Sequence, residues 1–365
     1  MIGSARLLNG INEFFSRRKI ASGVFEGYSF TPDFPATYWA SAYPALTYSL
    51  VGLIREMDEV YRNEWASFLK AGQNETTGLY NEPLDNNNFH ENEVHSIQDI
   101  YWHGATFING ALHVLGHEPV HPFKCLEKYR SPGEMTRWIE SLPWENPWKT
   151  GNRTYDMGCL MGTDSEITGN IDNRIAMDEF FDWMDNNTDR ETGWWNPVGT
   201  APLFSQQFGG YHTLMVYWMF NREVPDPEKM ITSTLRLQTD DGSYSGFGCC
   251  GDMDAVDTLV SLSRQYDICG GEVKKSIERF LPYLLNTWDQ EGGFRGLENA
   301  SHSDYGWTLH TGITGRADPC STYFRTFTLA LVNEILEFPQ LDGVKWKHMD
   351  GYCHGRRPDK LLYKE

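Results

Sequence analysis

The sequence predicts an all-α protein, an (α/α)6 toroid in which an outer ring of helices surrounds an inner one, as a single domain over residues 1–365. Three observations predict it. A short glycine-centred phrase recurs along the chain. Amphipathic helices precede its copies. Six more apolar segments, richer in small residues, alternate with them, enough for one closed inner ring.

The phrase comes first in the argument. Gln73 leads to Thr77-Gly78-Leu79-Tyr80, Asp189 to Thr192-Gly193-Trp194-Trp195, and Gln238 to Asp241-Gly242-Ser243-Tyr244. Trp288-Asp289-Gln290 leads to Gly292-Gly293-Phe294, and Trp144 to Gly151 is a degenerate copy. With Gly78, Gly151, Gly193, Gly242 and Gly293 as markers, the spacings are 73, 42, 49 and 51 residues. That is about one helical hairpin per unit, the signature of a helical repeat array. Each marker reads as a tight turn from an outer to an inner helix, where glycine takes a backbone conformation other residues resist.

The outer helices come next. Tyr61, Trp65, Phe68 and Leu69 share one face of 61–70. Asp226-Pro227 opens a second helix as cap and first-turn proline. Residues 277–285 form a third. The inner segments are 37–53, 97–115, 155–161, 211–220, 254–262 and 322–335. Helices apolar on most sides are buried ones. An open solenoid is the alternative, but a ring explains why 1–35 and 343–365 carry no marker and read as covers. The longest irregular stretches, 81–93 and 297–319, precede inner helices, and long loops are often functional.

Composition narrows the function. Lys+Arg total 31 against Asp+Glu 50, a net charge of -19, which repels a phosphate backbone and disfavours nucleic-acid binding. It also disfavours anionic membrane surfaces. No apolar run reaches the roughly 18 residues of a membrane span. Residues 1–19 do not read as a secretory leader. The seven cysteines are odd in number and contain no CxxC, so they are expected as reduced thiols in a cytoplasmic protein. The four Asn-x-Ser/Thr sequons are then accidental.

At Gln238-Thr-Asp-Asp-Gly242-Ser-Tyr244, followed by Asp252-Met-Asp254-Ala-Val-Asp257-Thr258, the chain resembles the terpenoid cyclase and protein prenyltransferase toroid superfamily. The resemblance implies that the glutamine caps helix ends and that the aromatic packs between helices. The second phrase is similar to the Asp-x-Asp-Asp-Thr motif of proton-initiated terpene cyclases, whose central Asp is held protonated and donates to an alkene or epoxide. Asp254 matches that central position and Asp252 the first, while Ala255 stands where the family has Asp. Those cyclases usually need two toroid-like domains. A single six-hairpin toroid looks more like the catalytic subunit of protein prenyltransferases, which binds zinc through Asp, Cys and His. Here Asp254 stands in place of that Cys, and Ser321, in Asp318-Pro-Cys320-Ser321-Thr322, in place of that His. No such zinc site is expected.

The candidate site residues gather at inner-helix starts. Asp252, Asp254 and Asp257 form one cluster, with 254 and 257 on one face. There a like-charged neighbour and burial would raise a carboxyl pKa; the plainer reading is helix capping. Asp99 and His103 are four apart, so Asp99 is expected to orient the imidazole as an acid–base pair; a satisfied core histidine is the plainer reading. Trp39, Tyr101, Trp102, Tyr155, Asp156, Tyr211, His212, Tyr323 and Arg325 are the candidate substrate-binding residues, although each alone reads as packing or an ion pair. Polar groups converging on an aromatic cavity describe a small-molecule site. His90, Glu91, Glu93 and His95 invite a metal reading, but the spacing is not His-Glu-x-x-His, so neither metal nor cofactor is expected.

Three functions remain. The first is acid-initiated cyclase chemistry on an isoprenoid-type substrate. The second is a carbohydrate-active hydrolase, lyase or epimerase, since Asp99, His103, His212 and Arg325 suit hydroxyls and carboxylates. The third is a non-catalytic binding toroid. The partner is a small molecule or an oligosaccharide in the first two; the sequence leaves the oligomeric state open.

Overall fold

The structure is a computed structural model that describes residues 2–21, 25–32, 34–82, 96–244, 248–296 and 315–352. His90, Glu91, Glu93 and His95 lie outside the described residues, as do most of the two long loops.

Six helices form the inner ring: α2 (Tyr38–Leu50), α4 (Ile97–Leu115), α6 (Pro147–Thr168), α8 (Leu203–Met219), α10 (Cys249–Tyr266) and α12 (Pro319–Leu336). Each packs on the next, and α12 packs back on α2, so the ring closes and the open solenoid is excluded. Neighbours are in parallel register. Trp39 meets His103, Tyr155 meets His212, and Tyr211 meets Asp257, at matching levels along the helices. The fourth and fifth inner helices begin well before the expected 211 and 254, so Tyr211, His212 and Asp257 are mid-helix.

The outer elements are α1 (Ser4–Ser16), α3 (Glu59–Ala71), α5 (Glu134–Glu140), α7 (Ile171–Asp185), α9 (Pro227–Leu235) and α11 (Gly270–Asn286). Helices α3, α9 and α11 each bridge two consecutive inner helices. Helix α7 packs on α6 and α5. Helix α1 lies against α2 through Phe15 and Tyr48, while its Gly10 meets Trp288 ahead of α12. A small antiparallel sheet of β1 (Lys19–Ala21), β2 (Phe25–Ser29) and β3 (Ala36–Thr37) links α1 to α2. The sequence reading contained no strand. These strands are too short for alternation to show, and they hold because Phe25 and Tyr28 bury their rings against Trp65.

The recurring phrase is a structural unit. Antiparallel bridges join Gln73 to Tyr80, Thr188 to Trp195, Gln238 to Tyr244 and Trp288 to Phe294. Gln238 donates to the Gly242 and Ser276 carbonyls at 3.0 and 2.8 Å, and Ser276 donates back to its Oε1 at 2.8 Å. One side chain thus ties the turn to α11. Gly78, Gly193 and Gly242 have φ of +82°, +79° and +90°, where a Cβ would be strained. Two markers are corrected. In the fourth turn Gly292, not Gly293, takes the left-handed conformation (φ +90°). Gly151 lies inside α6, not in a turn. A Cβ there would stand 2.2 Å from the Gly209 carbonyl oxygen, so this glycine lets α6 and α8 approach.

Helix starts are set by local chemistry. Thr37, Asp58, Asn146, Asn170 and Asp318 each accept a first-turn backbone N–H. Ser96 and Asp99 form a reciprocal capping box on α4. Helix α6 is much longer than 155–161 because its first two turns are polar and glycine-bearing, although Pro147, Thr150, Gly151, Asn152 and Thr154 are buried there. Six described cysteines are free thiols.

Candidate functional site

The N-terminal halves of α4 and α6 bring four ionisable residues together. Arg153 donates from Nε to Asp99 Oδ1 at 2.8 Å and from Nη2 to Oδ2 at 3.3 Å. His103 Nδ1 lies 2.9 Å from Asp156 Oδ1. The expected pairing is therefore corrected: the carboxylate on the imidazole is Asp156, not Asp99. Asp99 Oδ2 closes the capping box instead, accepting from Ser96 N and Oγ at 2.9 and 2.8 Å.

Burial pushes the Asp99 carboxyl up, but the Arg153 and Ser96 hydrogen bonds outweigh it and hold it below the usual range. Asp156 moves the other way: burial raises it well above the usual value, and the Asp99 charge adds to this. Burial lowers His103 to about 4, with Asp99 opposing. Burial thus favours a neutral Asp156–His103 pair over an ion pair.

An aromatic shell surrounds this pair. His103 has ring contacts to Trp39 (5.8 Å), Phe107 (5.2 Å) and Tyr155 (5.8 Å). Tyr155 continues to His212 at 5.8 Å. His212 donates from Nδ1 to the Phe208 carbonyl at 2.8 Å, which fixes a proton on that nitrogen. Tyr43 joins Phe107 (5.3 Å) to Tyr323 (6.3 Å), and Phe324 lies 6.1 Å from Phe107. Tyr43 and Phe107 were missed in the sequence. Each follows a predicted residue, Trp39 and His103, by four positions, so helical spacing was the available signal.

Two predicted lining residues sit elsewhere. Trp102 turns toward the outer wall, edge-on to Tyr129 at 6.3 Å. It follows from helix geometry, since adjacent residues are about 100° apart and 103 points to α6. Tyr101 is half-buried.

The three aspartates of α10 have different surroundings. Asp252 accepts from Arg325 Nη1 at 2.6 Å and from Tyr244 N at 2.8 Å. Both charged groups are fully enclosed, so Arg325 is committed to Asp252 and is placed to brace α10 against α12. Asp257 accepts from Tyr211 Oη at 2.8 Å and Ser261 Oγ at 2.5 Å. Asp254 is 3% exposed, and its carboxyl has no hydrogen-bond partner among the described residues. Burial raises its pKa well above the usual value, and the nearby Asp257, Cys249 and Asp252 raise it further. Glu82 was also missed: it accepts from the Tyr38 and Trp39 backbone N–H groups at 2.7 Å each and orients the start of α2.

Among the described residues, no group of three or more His, Cys, Asp or Glu is placed to hold a metal ion. None of the described helices is long and apolar enough to cross a membrane.

No family model matches the chain. No curated protein sequence matches it. Solved structures similar to it include a polysaccharide lyase, at 14% identity over 92% of this chain and 98% of that one, with a TM-score of 0.49. A type II terpene cyclase from Scytonema, in complex with geranylgeranyl dihydroxybenzoate, is 13% identical over 92% and 99%, with a TM-score of 0.49. A family 88 glycosyl hydrolase from Bacteroides vulgatus is 12% identical over 92% and 100%, with a TM-score of 0.48. Likenesses this distant do not choose between cyclase and carbohydrate chemistry.

Proposed function

We propose that this chain is a single-domain cytoplasmic enzyme that holds a small isoprenoid-type substrate inside the ring and protonates it from Asp254. The observation that carries this reading is the Asp254 carboxyl. It is buried beside two other carboxylates and has no described hydrogen-bond partner, and both conditions favour its neutral form over its charged one. A carboxyl whose neutral form is favoured in this way can act as a proton donor. In the proposed step the Asp254 O–H proton adds to one carbon of an alkene. The adjacent carbon becomes cationic, and the electron pair of the O–H bond stays on the carboxylate. The substrate later returns a proton and so regenerates the acid. The aromatic faces of Trp39, Tyr43, Phe107 and Tyr323 suit a cationic intermediate, each contact worth about 0.5–2 kcal/mol.

A carbohydrate-active enzyme is the second reading, favoured by the Asp156–His103 pair beside Trp39 and Tyr155. The commitment of Arg325 to Asp252 weakens it, because that arginine no longer offers a free cation for a sugar carboxylate. The experiment is product analysis of the wild type and Asp254→Asn with polyprenyl compounds, and in parallel with uronic-acid oligosaccharides. Polyprenyl turnover that disappears in a folded Asp254→Asn variant supports the proposal. Full activity in that variant, or turnover of oligosaccharides alone, overturns it.

A further inference from the structure

We propose that the pocket between the end of α1 and the approach to α12 binds a tetrahedral oxyanion, a phosphate or sulfate group, at the rim of the ring. The pocket has a volume of about 360 Å³ and is lined in part by Arg17, Arg18, Arg316, Gln290, Glu291 and Asp318. Three guanidinium groups thus converge on one cavity in a chain whose net charge is -19.

Arg18 is the fixed element. It is only 4% exposed, its guanidinium lies 3.7 Å over the Phe14 ring, and it donates to the Phe14 and Ala317 carbonyls at 3.1 and 3.3 Å. Its Nε has no partner among the described residues. A guanidinium held this rigidly is already oriented, so binding an anion costs it little side-chain entropy.

The local carboxylates offset the three arginines only in part. Glu291 forms loose ion pairs with both Arg18 at 3.7 Å and Arg316 at 4.0 Å, so one carboxylate is shared between two guanidinium groups. Arg17 donates to the Glu291 backbone carbonyl, not to its carboxylate. Asp318 is occupied by Ser321, whose N and Oγ donate at 2.8 and 2.5 Å. Burial pushes the Asp318 carboxyl up to about 7, so it carries only part of a negative charge. Burial also lowers Arg18 to about 10, with Glu291 and Asp318 opposing. The cavity is an order of magnitude larger than the roughly 30 Å³ of a water molecule in the liquid, so it has room for an organic group attached to the anion. Planar forked donors suit phosphate and sulfate oxygens.

The test is isothermal titration of the full chain at low salt with inorganic phosphate and, separately, with phenyl phosphate. Saturable binding at one site is expected. Arg17→Ala and Arg316→Ala remove exposed side chains, and each is expected to weaken binding by about tenfold. Phenyl phosphate binding at least tenfold tighter than inorganic phosphate assigns the site to a phosphorylated organic ligand; comparable affinities assign it to the free ion. No saturable binding of either probe, or binding that both variants leave unchanged, overturns the proposal. Asp254→Asn leaves the affinity unchanged, which separates this site from the proton-donor reading.

Discussion

Arg153 on α6 spans to Asp99 on α4, with Nε 2.8 Å from Oδ1, and this ion pair leaves His103 to Asp156. Two helix turns thus cross-link α4 to α6 by one charged and one neutral pair. Arg153→Met is expected to destabilise the fold by about 1–3 kcal/mol at pH 7, discounted for the part of Arg153 that water reaches. The sign of its pH dependence follows from the lowered Asp99 pKa. The pair's contribution is present above the ordinary value of 3.8 and is lost as pH falls below it. Urea denaturation of wild type and Arg153→Met should therefore give curves that differ at pH 7 and draw together as pH falls below 3.8.

The Asp156–His103 pair predicts two opposed slopes of stability against pH. Asp156 is raised in the folded state, so its contribution is lost as pH rises above 3.8. His103 is lowered from 6.5 to about 4, so its contribution is lost as pH falls through that interval. Between pH 4 and 6.5 the two changes oppose each other, and Asp156→Asn removes the Asp156 loss. As pH rises from 3.8, the stability of the wild type should fall relative to that of Asp156→Asn. An unchanged slope in the variant would show that the pair is ionised in the folded state.

Arg325 and Asp252 form a fully enclosed pair. Arg325→Met leaves a buried carboxylate without its cation, a loss on the order of 3–5 kcal/mol. Adding Asp252→Asn should recover part of it, because the uncompensated charge is gone. Calorimetric melting of both single variants and the double variant measures this coupling; additive losses would refute it.

Gly151 and Gly209 set the distance between α6 and α8. Gly151→Ala places a methyl 2.2 Å from the Gly209 carbonyl oxygen, against backbone that has little room to yield. A loss of about 1–3 kcal/mol is expected, as for other overpacked interiors. Gly116→Ala is not an equivalent control, because its φ of +85° penalises any side chain. Gly104→Ala is better, since a Cβ there meets only ordinary contacts at 3.7 Å or more from Trp39.

The sequence by itself determined the ring. Apolar inner helices, amphipathic outer ones and recurring Gln-to-aromatic turns are local properties, and 97–115 matches α4 to the residue. It also placed Trp39, His103, Tyr155, His212 and Tyr323 on inner helices, where periodicity acts, although Tyr155 and His212 lie two turns or more inside α6 and α8 and not at their starts. The tertiary structure decided who pairs with whom. Asp99 lies four residues from His103 but meets Arg153, 54 positions away; Asp156 reaches His103 from 53 positions away. Arg325 reads in sequence like a cation for a ligand, and only the packing of α10 on α12 commits it to Asp252. The physical reason is that helix periodicity fixes which side chains share a face. Which face meets which depends on the azimuth of each helix, where a shift of one residue turns the side chain by about 100°. Pairing energy between buried charges then acts across helices, between groups that no local pattern relates.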